Sequence, residues 1–285
     1  MASVIGVGPW GPGEDRKRTG HRGSKRRGAR SDSTADHLLQ VDIIPSLLVA
    51  HRGPPAATPV SGIISADDLA AFAPLAVTLE AHDLLREVEA FMDRGLSVEG
   101  VFVELLAPTA RLLGEDWTAD RLDFLDVTMA LWRLQEVLRE IAAANPAPLR
   151  FGPSRSALFS TVPGDQHGFG AAMIEETFAR AGWDTALLIG VDRSELLSSV
   201  ADKSYDIIGL TLSCDCHIGP LSSLITAVRN VSKNPNLRVM LGGRVLIEDP
   251  TIVTRVGADA TAACALEALE LADRLVADGI AALTA

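Results

Sequence analysis

The residues best equipped for chemistry sit together in the run Asp165-Gln166-His167-Gly168-Phe169-Gly170, a D-x-H-x-x-G spacing. An imidazole is a good nitrogen ligand for a transition metal. A carboxylate two residues earlier can accept the other ring N–H, which fixes the tautomer and raises ligand basicity. Gly168 and Gly170 remove side-chain bulk, so a large flat ligand can approach the backbone. A dinucleotide fingerprint would instead read G-x-G-x-x-G after a strand. Here Asp and His stand where a phosphate needs bare backbone. On three defined positions alone, a loop histidine that only caps a helix is the competing reading.

Two further segments have the same character. Gly209-Leu210-Thr211-Leu212-Ser213 reads as a strand with hydroxyls at its carboxyl end, and Met240-Leu241-Gly242-Gly243-Arg244 ends in paired glycines. Three strand ends with small or polar residues describe a slot for something long and flat, not a compact catalytic pocket. Cys214-Asp215-Cys216-His217 fits neither C-x-x-C nor zinc-finger spacing. It reads as small residues beside that slot, with a thiolate or imidazole able to tune redox sensitivity. His82 reads as a solvated helix residue. No carboxylate pair is marked for acid–base work, and no nucleophile elbow supports a serine triad.

The elements that must position these residues follow from periodicity. Ser65-Ala66-Asp67-Asp68 predicts a capping box. Leu69 to Phe91 recur at helical spacing, with a break expected near Pro74. Further helices are predicted over Ser97–Leu113, stopped by Gly114, and over Asp123–Ala144. Four helices in this length make a small bundle with short loops. After Asn145-Pro146-Ala147-Pro148 the pattern alternates strand and helix. Strands are expected at Ala157–Val162, Thr185–Ile189, Asp206–Leu212 and Val239–Leu241. Helices are expected near Gly170–Ala181, Ser194–Ala201, Pro220–Val231, Leu246–Val256 and Ala265–Asp278. That is the α/β alternation of a doubly wound, Rossmann-like parallel sheet. The expected organisation is a disordered basic extension at 1–62, a helical bundle cap at 63–145, a linker at 146–155, and the sheet domain at 156–285.

Charge is uneven. The 285 residues carry a net charge of -11, yet residues 1–30 carry +6. The acidic body argues against broad nucleic-acid binding, while the basic stretch suits a solvated tail or a weak phosphate-contacting arm. No run approaches the roughly 18 apolar residues of a membrane span. With three cysteines and no signal-peptide pattern, a reducing cytoplasm is the expected setting.

On these motifs, residues 154–278 resemble the cobalamin-binding domain of methionine synthase and its relatives. The resemblance implies that His167 is the lower axial ligand to cobalt, with Asp165 behind it. It further implies that Gly170, Thr211, Gly242 and Gly243 line the slot for the displaced nucleotide tail, with Ser213 as the alternative to Thr211. The run from Leu105 to Trp117 resembles the four-helix cap of methionine synthase and the CarH light sensors. That makes Trp117 a candidate for the upper face and leaves Trp132 to core packing. In CarH a Glu-His pair follows the tryptophan by ten and eleven residues; Val127 and Thr128 stand there instead. The difference implies hydroxo- or aquocobalamin rather than adenosylcobalamin. Across residues 65–278 the chain resembles most closely the AerR/PpaA family of cobalamin-binding antirepressors. That resemblance implies a light- or redox-responsive, non-enzymatic regulator acting on a CrtJ/PpsR-type repressor of photosynthesis genes. DNA would be reached indirectly or through the basic tail. A corrinoid methyl carrier is the alternative.

Overall fold

The computed structural model describes residues 62–147 and 155–284, with side chains to 277. The expected basic extension, Gly62 apart, and most of the linker lie outside the described residues.

Helix α1 (Ala66–Thr78) starts at the expected capping box: Asp68 N–H donates to Ser65 Oγ at 3.1 Å, and Ser65 N–H donates to Asp68 Oδ2 at 2.9 Å. It does not break at Pro74. The carbonyl that loses its partner belongs to Ala70, and both residues face solvent, so water replaces the missing N–H. The break comes later, at Leu79-Glu80, before α2 (Ala81–Asp93).

The next rod is compound. A single α turn, α3 (Val98–Gly100), leads into a π-helical segment (Val101–Leu106), which runs on as α4 (Ala107–Thr118). Gly114 does not end this rod. It is buried inside α4, and the helix stops at the Asp120 turn, where φ is +54°. The long α5 (Phe124–Ala144) is capped by Asp123, which accepts from Asp126 N–H at 2.8 Å. Phe72, Leu84, Phe102, Leu105, Leu106 and Leu134 fill the bundle core.

Five parallel strands form the sheet: β1 (Ser156–Thr161), β2 (Asp184–Leu188), β3 (Ile207–Thr211), β4 (Arg238–Gly242) and β5 (Ala260–Thr261). Their spatial order is β2-β1-β3-β4-β5. Every residue of β1 is buried, as expected for a strand covered on both faces. The connections are α6 (Phe169–Arg180), α7 (Arg193–Asp202), α8 (Ile218–Val231), α9 (Arg244–Glu248) and α10 (Ile252–Val256), with α11 (Ala265–Thr284) closing the domain. The single helix expected over Leu246–Val256 is two. Pro250 lacks an N–H and pushes Asp249 out of helical geometry, to φ −134°, ψ 83°. The short β5 was not anticipated, because two residues carry no periodicity.

Ala172 and Met173 of α6 belong to the bundle core, so the two halves share packing. Arg180 fastens the same junction. It pairs with Glu176 at 2.8 Å and Glu99 at 3.7 Å, donates to the Asn145 carbonyl, and lies over the Phe102 ring. Among the described residues no helix is long and apolar enough to cross a membrane.

Candidate cofactor site

The sheet's order reverses between β1 and β3, and ligands bind at the carboxyl ends of strands beside such a reversal. Beyond β1 the chain turns tightly: Asp165 N–H donates to the Val162 carbonyl at 2.9 Å, and Gly164 takes φ +93°. The turn buries the Asp165 carboxylate to 2 % exposure. Both of its oxygens are used. Oδ1 accepts from His167 N–H at 3.0 Å and lies 2.6 Å from His167 Nδ1. Oδ2 accepts from Ser213 N–H at 2.9 Å and from Ser213 Oγ–H at 2.5 Å. With Nδ1 held by the carboxylate, Nε2 is the ring nitrogen left for a metal.

Burial alone would raise the Asp165 pKa. The hydrogen bonds from His167 and Ser213 outweigh it and hold the group at about 2, against an ordinary 3.8. The folded value lies below the unfolded one, so the stabilisation is complete above about pH 4 and is lost as pH falls towards 2. Ser213→Ala removes one of the compensating hydrogen bonds, that from the hydroxyl, and keeps the backbone N–H bond to Oδ2. It should destabilise the protein by about 1–2 kcal/mol at neutral pH and move the onset of acid unfolding upward. Urea titrations of both proteins across the acid range test this; superimposable acid limbs would mean that Ser213 does not hold Asp165.

Ser213 therefore does not simply replace Thr211. Both line the cavity, but Ser213 is buried and engaged with Asp165, whereas Thr211 is part-exposed at the end of β3. Gly243 takes φ +108°, and a Cβ there would lie 2.0 Å from the Leu212 carbonyl oxygen, so β3 and the β4 turn touch through bare backbone. A Cβ at Gly170 or Gly242 would meet nothing within 4 Å. Both of these glycines border the cavity.

The cavity measures about 1010 Å³, at the upper end of small-molecule sites. Its deep wall is Phe159, Phe178, Gly209 and Met240, between the sheet and helices α6 and α11. Its opposite wall is the cap, through the π segment, α4 and α5. Trp117 is not in that wall. It lies in the last turn of α4, and the tryptophan that borders the cavity is Trp132, half exposed at 50 %. Sequence spacing reversed these two because it placed the end of α4 at Gly114. Thr128 lines the cavity, while Val127 is buried beside it on α5, 1 % exposed and not among the lining residues. Phe124, Leu131 and Arg111 were not foreseen as lining residues. Cys214, Cys216 and His217 all border the cavity, beside Asp165. Although Cys216 reaches solvent, local desolvation, Cys214 and the Asp165 charge push its thiol up to about 12. It is therefore no thiolate near neutral pH.

A carboxylate-backed imidazole at the switch point, open glycines beside it and a long slot under a helical cap define a corrinoid-binding α/β protein. The family comparison agrees: residues 155–270 match the B12 binding domain. The chain is 26 % identical over 163 residues to the "uncharacterized 20.5 kDa protein in bchF-crtJ intergenic region" of Rhodobacter capsulatus. That match covers 57 % of this chain and 84 % of the relative. Both findings agree with an AerR/PpaA-type cobalamin-binding protein. Among solved structures, the Methanosarcina barkeri monomethylamine corrinoid protein superposes with a TM-score of 0.61 at 14 % identity. The superposition covers 71 % of this chain and 95 % of the other, and it shows the shared fold.

The residues present fit cobalamin. His167 would supply a nitrogen ligand to the cobalt, Asp165 and Ser213 would hold that ring, and the open space at Gly170, Gly242 and Thr211 would receive the tail.

Proposed function

We propose that the chain is a non-enzymatic regulator that senses cobalamin and acts as an antirepressor towards a CrtJ/PpsR-type repressor. The observation that carries this reading is the Rhodobacter relative, whose own name sets it beside crtJ. The cap supports it physically. Cap and sheet both border the cavity, so a ligand seated there touches both layers. A ligand shifts an equilibrium only by its differential affinity for the two states. Trp132 is placed to express such a difference, because it borders the cavity and also reaches solvent. The cobalt would supply a light- or redox-sensitive bond to its upper ligand. A hydroxo or aquo ligand is favoured over adenosyl by Val127 and Thr128, which offer no Glu-His pair above the cavity. DNA would be reached through the repressor or the basic segment, in the cytoplasm and without a membrane.

The test is repressor binding to its operator, with the chain empty or loaded with hydroxocobalamin, in the dark and after illumination. Loading or light should shift the repressor's operator affinity by severalfold. Identical operator binding under all four conditions would sink the proposal. A corrinoid methyl carrier is the rival, and steady turnover with a methyl donor and an acceptor would favour it.

A further inference from the structure

Arg111 projects from α4 on the same face as Ala107 and Ala110, and all three border the cavity. The two alanines leave its long side chain room. Arg111 is partly buried, yet it makes no hydrogen bond or ion pair to any described residue. The comparison with the other sheltered arginines is sharp. Arg133 donates to the Ala76 and Val77 carbonyls and pairs with Glu80. Arg180 pairs with Glu176 and Glu99. Arg244, which also borders the cavity, is held by Glu248 at 2.5 Å.

The wall offers Arg111 little in return. Asp165 is fully engaged with His167 and Ser213, and Glu267 accepts from the Ala263 N–H. Desolvation lowers the Arg111 pKa, and Cys264 and Glu115 offset it only at a distance. A guanidinium has five donors and no acceptor; none of Arg111's nitrogens is sealed from the cavity, so a ligand that displaces the cavity's solvent leaves them without acceptors unless it supplies its own. The missing acceptors are best supplied by whatever fills the cavity.

We propose that Arg111 is a ligand-binding residue: its guanidinium donates to an oxygen of the bound corrinoid. A corrinoid offers two sources of such an oxygen, the carbonyls of its rim amides and the phosphate of its nucleotide tail. This rests on the corrinoid reading of the cavity and adds to it a clamp from the cap side, facing the wall that carries His167. Ligand binding then draws α4 towards the sheet, which a site built on the sheet alone would not do.

The test is titration of the full chain with hydroxocobalamin and with cobinamide, which keeps the rim amides but lacks the tail phosphate. Wild type, Arg111→Met, Arg111→Gln and Arg111→Lys are compared by visible spectrum. Arg111→Met and Arg111→Gln should weaken hydroxocobalamin binding by about tenfold or more, with Arg111→Lys between them and wild type. Thermal unfolding of the empty proteins should be unchanged or higher, since no internal partner is lost. A loss that persists with cobinamide assigns the contact to a rim carbonyl; a loss confined to hydroxocobalamin assigns it to the phosphate. Wild-type affinity of the folded variants for both corrinoids overturns the proposal. If wild type binds with a His167-dependent spectrum while the Arg111 variants match it, only this inference fails. If wild type takes up neither corrinoid, the reading of the cavity fails instead.

Discussion

His167→Ala should abolish the nitrogen-ligated cobalt spectrum and weaken hydroxocobalamin binding by about 100-fold or more. The estimate follows from the geometry behind the ring. Replacing a group that orients a metal ligand costs about 10–100-fold in affinity, and removing the ligand itself costs at least as much. Asp165→Asn should therefore fall between wild type and His167→Ala. An amide in that place keeps the shape but no longer carries the charge that Nδ1–H faces. The His167 side chain is 21 % exposed and, among the described residues, makes its polar contact only with Asp165. Its removal should leave the empty fold within about 1–2 kcal/mol of wild type, which separates ligation from folding. Equal spectra and equal affinity for wild type and His167→Ala would remove His167 from the cobalt.

Gly243→Ala should have the largest effect on the fold itself. The residue sits at φ +108°, ψ 165°, a region that side-chain-bearing residues hardly populate. A methyl there would stand 2.0 Å from the Leu212 carbonyl oxygen, which is backbone and cannot rotate away. Backbone strain and the forced separation of β3 from the β4 turn together cost about 3 kcal/mol or more. The damage would spread to the site. Leu212 N–H is bonded to the Gly242 carbonyl at 2.9 Å, and Ser213 beside it holds Asp165. Gly242→Ala and Gly170→Ala make the control, because their methyls enter open cavity. They should spare stability in urea denaturation and reduce corrinoid uptake. A Gly243→Ala protein as stable as wild type would show that the loop relaxes where the backbone contact says it cannot.

The parts of this site that lay close together in the chain could be read from it. Asp165, His167 and Gly170 fall within six residues, and the hydrogen bond from Nδ1 to the carboxylate is a matter of local reach. The alternation of apolar runs and helical periods marked four strands and the doubly wound class, because β1, β3 and β4 bury both faces and the half-buried edge strand β2 is still an apolar run. What depended on register could not be read. Ser213 meets Asp165 only because β3 lies beside β1 and ends level with it. The choice between Trp117 and Trp132 depended on where α4 ends. Gly114 is a plausible stop by propensity, costing about 1 kcal/mol relative to alanine, but burial in the bundle overrides that cost. Pro74 was over-read for the same reason: its effect depends on whether the orphaned carbonyl meets water or protein.

The π-helical segment at Val101–Leu106 sets the rotational phase of everything after it. A π turn takes up more residues than the 3.6 of an α turn, so the segment shifts the face of α4 by about one residue's rotation, near 100°. Ala107, Ala110 and Arg111 look into the cavity because of that offset. The constraint on this stretch is then its length more than its composition. Conservative exchanges among Val101, Phe102, Val103, Leu105 and Leu106 would alter packing and leave the bearing of α4 as it is. Deleting a single residue here would restore a regular α-helix and swing Arg111 away from the cofactor slot, so relatives that use the same cap should differ in the letters of this segment but not in their number.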